Sequence, residues 1–139
     1  MMADETTQAV FDVMNADSLL VGLLSQFEGD PAIFTMKEVP PDALRPYIWS
    51  YGDVVSTPFE SKDLRGRDVT RDIWIVADDV GDEDLVMDIS NRVRDIFHRT
   101  VMTIGLGNMR TIALGPRIGP SGDDITARIV TLEFVYQIS

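Results

Sequence analysis

The C-terminal stretch Ile125 to Ile138 alternates over most of its length. Arg128, Val130, Leu132, Phe134, Tyr136 and Ile138 fall on one face, and Thr131, Glu133, Val135 and Gln137 on the other. A strand this long carries a ladder of N–H and C=O groups along each side, and those groups must be paired or protected. Asn108 to Ile118 supplies one partner. The turn Gly119-Pro120-Ser121-Gly122-Asp123-Asp124 joins the two into a long antiparallel hairpin.

A second alternating run, Val69 to Ala77, places Val69, Arg71, Ile73, Ile75 and Ala77 on one face and Thr70, Asp72, Trp74 and Val76 on the other. After the turn Asp78-Asp79-Val80-Gly81 the period changes to helical over Asp82 to Thr100, where Val86, Ile89, Val93, Ile96 and Phe97 make one apolar stripe. Acidic residues open this helix, and Arg94, His98 and Arg99 close it, as the helix dipole favours.

The N-terminal half is less regular. Thr6 to Asn15 reads as a short amphipathic helix through Val10, Phe11 and Met14, and Asp17 or Ser18 caps a second one ending near Leu24. Ala32 to Val39 reads as a strand stopped by Pro40-Pro41, and Tyr47 to Tyr51 as another, with Pro46 where the first N–H can be spared. Residues 1–5 are expected to be disordered, and 56–68 to be a charged, mobile loop. The order is α-α-β-β-(loop)-β-α-β-β. It predicts one α+β domain over 1–139, an antiparallel or mixed sheet with one long helix and the short N-terminal helices packed on one face.

Twelve Lys and Arg against 23 Asp and Glu leave a net charge of −11. A duplex-binding surface needs a net basic footprint, so specific DNA binding is not expected. The chain has no cysteine, which removes disulfides, thiolate metal sites and a Cys nucleophile. No signal-peptide pattern opens it, and Leu19 to Leu24 is far too short to cross a bilayer. A soluble, intracellular protein without membrane contact is the expectation.

Nothing in the sequence points to catalysis, a cofactor or a metal. His98 is the lone histidine, and its place at a helix end reads as dipole complement. Asp78, Asp79, Asp82, Glu83 and Asp84 lack the spacing of a calcium loop and read as an acidic helix start. Gly105-Leu106-Gly107-Asn108 precedes a strand, not a helix, so it reads as a turn and not as a phosphate cradle. Glu38, Glu60 and Glu133 have nothing to bring two of them together. Lys62, Arg65 and Arg67 form the main positive island, which reads either as a solvated loop or as a contact to the carboxylates of a neighbouring subunit.

Met14-Asn15-Ala16-Asp17 with Leu19, the apolar run to Leu23-Leu24, and Arg45-Pro46-Tyr47-Ile48-Trp49 are similar to the tail-completion (tail-terminator) family of long-tailed phages and phage-like gene-transfer particles. So are the strand Arg71 to Ala77 leading into the helix Asp82 to His98, and the turn Gly119 to Asp124 before the strand Thr126 to Tyr136. The resemblance implies a non-enzymatic virion protein, assembled in the host cytoplasm, that forms a homohexameric ring on the head-proximal end of the tail. Its implied partners are its own copies, the tail tube protein and the head-completion or stopper protein, with DNA passing through the lumen unbound. The regions it implicates are Ser56 to Arg67 and Gly105 to Asn108, which makes Lys62, Arg65, Arg67, Gly105 and Asn108 the candidate interface residues. A head-side neck or stopper subunit is the nearest alternative. A small-ligand-binding α+β domain is the alternative of a different class.

Overall fold

The computed structural model describes residues 2–50, 55–60, 65–78, 83–104, 107–119 and 125–138. The elements are, in chain order, α1 (Met2–Asn15), α2 (Ser18–Leu23), β1 (Gln26–Phe27), β2 (Asp30–Pro31), β3 (Ile33–Phe34), β4 (Tyr47–Trp49), β5 (Val55–Glu60), β6 (Arg65–Asp78), α3 (Glu83–Phe97), β7 (Val101–Ile104), β8 (Gly107–Ile118) and β9 (Ile125–Ile138). The fold is α+β.

β6 and β9 pair antiparallel over fourteen positions, from Arg65↔Ile138 to Asp78↔Ile125. Around this pair the sheet order is β3-β4-β6-β9-β8-β7, with β5 also pairing β6. The sheet is mixed, because β3 and β4 run parallel while its other pairings are antiparallel. β4 and β5 lie along the same edge of β6: Trp49 pairs with Trp74, and Glu60 with Arg65.

The helix-facing side of the sheet buries Ile73, Ile75, Ala77, Val130, Leu132 and Ala113 against Val86, Ile89, Val93 and Phe97 of α3. All four of those α3 residues belong to the stripe expected from the sequence. Val10 and Met14 of α1, Leu20 of α2, Leu24, Ile33 of β3, Ile48 of β4 and Met102 of β7 belong to the same core. Each Val, Leu, Ile, Met or Phe among them contributes roughly 1.5–3 kcal/mol by leaving water.

Two polar fasteners orient the helices on this core. Arg71 is fully buried on the apolar face where its alternation places it, and its Nη2 donates to Thr7 Oγ1 of α1 (2.7 Å). Its Nη1 donates to Ser50 Oγ (3.3 Å). At the start of α2, the Asp17 carboxylate accepts from the Leu20 N–H (2.9 Å) and, through both oxygens, from Arg92 of α3 (3.0 and 2.6 Å). The Arg92 guanidinium holds the Asp17 carboxyl below its ordinary value, against the opposing effect of desolvation.

Several expectations are corrected. α1 begins at Met2, so residues 2–5, expected to be disordered, are helical. The segment expected to be a loop over 56–68 holds β5 and the start of β6, paired from Val55↔Thr70 to Glu60↔Arg65. The pattern concealed them because Pro58 and the charges break the apolar signal. An edge strand tolerates Pro, and pairing with a neighbour supplies what local propensity lacks. The strand expected over Ala32 to Val39 shrinks to Ile33–Phe34. Glu28-Gly29-Asp30-Pro31, which the sequence marks as the stop after the second helix, holds the tight turn between β1 and β2, with positive φ at Glu28 (53°) and Gly29 (87°).

The β8–β9 register shifts between Leu114 and Arg117, and Gly115 there has φ +104°. A Cβ on Gly115 would stand 3.0 Å from Arg117 N and from Ile129 O, both backbone atoms that cannot swing away. Gly115→Ala is therefore expected to cost about 1–3 kcal/mol, read as a lower denaturant midpoint at unchanged slope. The Asp17 contribution has a fixed sign, because its folded-state pKa is depressed. It is present in full above the ordinary carboxyl value of 3.8 and is lost as the pH falls through the lower folded value. In acid titrations followed by circular dichroism, Asp17→Asn should flatten the fall in stability below about pH 4.

Candidate assembly surfaces

Three surfaces remain once the core is accounted for: one end of the sheet, its helix-free face, and a groove at the β3 edge.

At the first, the strands end in one row: Glu60, Arg65, Ile138, Gly107 and Ile104 are successive partners across five strands. Arg65 and Arg67 open β6, where Arg67 pairs with Pro58 and Tyr136. Asn108 pairs with Thr103 and Gln137, and Gln137 in turn with Gly66. The structure thus brings Arg65, Arg67 and Asn108 to one end of the sheet, separated by two inter-strand steps of about 4.8 Å each. Lys62 and Gly105 lie outside the described residues, in the connections from Glu60 to Arg65 and from Ile104 to Gly107. No apolar pattern in the sequence linked these two charged or glycine-bearing connections, since only the register does so.

On the face away from the helices, Ile112 and Leu114 of β8 are 48% and 46% exposed while Thr111 and Ala113 between and beside them are buried. Their neighbours on β9 are Glu133 and Thr131. The Thr131 hydroxyl donates to Asp72 Oδ1 (2.8 Å), and Arg117 Nη2 pairs with Asp72 Oδ2 (3.0 Å). Trp74 stacks edge-on with Trp49 at 5.8 Å, and Trp49 Nε1 donates to the Met36 carbonyl (2.8 Å). An aliphatic pair beside a neutralised ion pair is the composition of a contact surface.

The third surface is a groove of about 400 Å³ between α1 and the β1–β2 turn, lined by Phe11, Phe27, Phe34 and Met36 among others, with Glu28 and Asp30 in the lining. Phe27 meets Phe34 edge-on at 5.4 Å. No Lys or Arg lines the groove. Among the described residues neither Glu28 nor Asp30 has an ion-pair partner. The sequence reading passed over this groove, although Glu28-Gly29 between two short apolar stretches carried the turn signal.

The remaining candidates occupy other places. His98 is exposed at the end of α3, where its Nδ1 accepts from the Ala113 N–H (3.3 Å), so it also ties the helix to β8. Of the acidic run before α3, Asp78 pairs with Arg45 (2.6 Å), and Asp79 and Asp82 lie outside the described residues. Among the described residues no three His, Cys, Asp or Glu side chains converge on a point that could hold a metal ion. Among them too, no helix is long and apolar enough to cross a membrane.

No protein-family model and no curated protein sequence matches the chain. Solved structures do. A chain of the virion of a native gene transfer agent (GTA) particle superposes with a TM-score of 0.75 at 18% identity, over 94% of this chain and 93% of that one. A second solved chain gives 0.66 at 14% identity, over 100% and 99%. At these identities the likeness establishes a shared fold, extending over nearly the whole of each chain.

If Ile112 and Leu114 serve contacts and not the core, Ile112→Ser and Leu114→Ser should each leave unfolding free energy within about 0.5 kcal/mol of wild type. Leu132→Ala, on the buried face, should lose about 2–5 kcal/mol in the same urea titrations.

Proposed function

We propose that this chain is a tail terminator, a structural and non-enzymatic virion protein that closes a ring on the last tier of a tail tube. The ring stops tube polymerisation and offers its other face to a head-completion or stopper protein. The observation that carries the reading is the near end-to-end likeness to a chain of a gene transfer agent virion. The sequence resemblance described above supplies the position in the tail and the sixfold ring.

The physical chemistry is compatible with this role. Six copies would carry about −66 formal charges, six times −11. An acidic ring offers a DNA duplex no release of counterions on contact, so DNA can pass through without being held. The sheet keeps β3, β5 and β7 as strands with a single strand partner among the described residues. Pro58 within β5 withholds an N–H on one of them, which limits uncontrolled strand addition. Neighbours in a closed ring cover such edges in a defined way.

A head-side neck or stopper subunit is the second reading, since the neighbour's description names a virion and no position within it. Deleting the gene and examining particles by electron microscopy separates the two. A terminator loss yields overlong tails of irregular length and unattached heads. Tails of normal length would refute the proposal and favour the head-side position.

A further inference from the structure

The groove at the β3 edge is lined from both sides of the sheet. Phe11 and Asn15 of α1 line it on the helix side, and Phe34, the cross-strand neighbour of Trp49, lines it from the helix-free side. Ile33 lies between them, with its side chain in the core.

The backbone of β3 fixes what Ile33 offers. The Ala32 and Phe34 carbonyls accept from the Ile48 N–H (2.9 Å) and the Ser50 N–H (2.8 Å), so those two residues face β4. Successive residues of a strand turn their polar groups to alternate sides, so the Ile33 N–H and C=O point away from β4. β3 ends the sheet order, and among the described residues no bond reaches either group. Yet Ile33 is only 7% exposed. Main-chain polar groups in so covered a place require a partner, and an extended segment laid along the edge supplies one.

The walls select the side chain that segment carries. Glu28 and Asp30 stand beside the aromatic rings, no Lys or Arg lines the groove, and among the described residues neither carboxylate has an ion-pair partner. A guanidinium or ammonium group can lie against an aromatic face while donating to a carboxylate. The β1–β2 pairing Phe27↔Asp30 holds the turn, so the groove is shaped before anything enters it.

Charge also decides whose segment it is. Copies of a chain of net charge −11 repel one another. The cluster Lys62, Arg65 and Arg67 is balanced by Glu60, Asp63 and Asp68. The acid-free stretch Ile96 to Ile118, with three Arg, runs through the end of α3, β7 and β8. We infer that the groove binds an extended basic segment of a different protein. The segment adds as a strand at Ile33 and sets a Lys or Arg side chain between the aromatic rings and Glu28 and Asp30. The inference is independent of the ring reading, since it serves a tail cap and a head-side subunit alike.

The probe is the peptide acetyl-Val-Arg-Val-Arg-Val-amide, followed by amide NMR shifts of the whole chain in about 150 mM NaCl, which screens exposed charges beyond roughly 8 Å. Shifts should concentrate at Ile33 and the groove residues, and hydrogen exchange at the Ile33 amide should slow. Citrulline in place of arginine keeps the shape and removes the charge. It should weaken binding about tenfold or more, as should Glu28→Gln/Asp30→Asn in the protein. An unchanged urea midpoint will show that this variant folds. Methylating the peptide's backbone nitrogens should weaken binding too, because strand addition needs those donors.

Shifts spread over the whole acidic surface, or none in the groove at about 1 mM peptide, overturn the inference. So does a citrulline or N-methylated peptide that binds undiminished, or a Glu28→Gln/Asp30→Asn variant that binds as wild type does. Concentration-dependent shifts at the same amides without peptide would assign the groove to a second copy, and overturn it as well.

Discussion

The fourteen-residue pairing of β6 with β9 is the constraint on which the rest of the structure depends. Two strands of that length run about 46 Å, while the fifteen residues of α3 span about 22 Å. The helix can back only about half of the pair, and the described core residues of β6, Ile73 to Ala77, belong to that half. The other half is kept in place by lateral pairing, with β5 on one side and β8 and then β7 on the other. The molecule thus divides into a helix-backed part, whose stability comes from apolar burial, and a strand-built end, whose backbone groups are satisfied across the sheet.

Orientation of the helices on the backed half is a matter of polar chemistry. Apolar packing is non-directional, so a stripe of Val, Ile and Phe fixes the depth of a helix more tightly than its rotation. The bonds from buried Arg71 tie β6 to Thr7 of α1 and to Ser50, just past β4, and the bidentate Arg92–Asp17 pair ties the start of α2 to α3. Asp17 serves two purposes with one carboxylate, capping α2 through the Leu20 N–H and accepting the guanidinium. The adjoining break at Asn15 to Asp17 thereby becomes a fixed corner between two helices.

The surfaces left over suit a subunit whose work is to touch its neighbours. The described carboxylates that are paired are spent on structure, as in Asp17–Arg92, Asp72–Arg117 and Asp78–Arg45. Those at the groove are available to a partner. The aliphatic pair Ile112 and Leu114, on the face that also carries Trp49 and Trp74, gives such a subunit an apolar contact patch.

The sequence by itself determined whatever depends on local periodicity. Alternation marked β9 and the core half of β6, a 3.6-residue stripe marked α3, and Asp17, at a break ahead of an apolar run, marked a helix cap. It also recorded the acidic balance and the lack of cysteine. Only the tertiary structure decided the parallel β3–β4 pair, the strands at Val55–Glu60 and Val101–Ile104, and the convergence of Arg65, Arg67 and Asn108 on one end. Only it could place the partners of Arg71 at Thr7 and Ser50, 64 and 21 residues away. The physical reason is common to these cases. Strand register and long-range side-chain pairs are settled by contacts between residues distant in sequence, and a segment such as β5, weak in its own propensity, becomes a strand only because a neighbour offers it an edge.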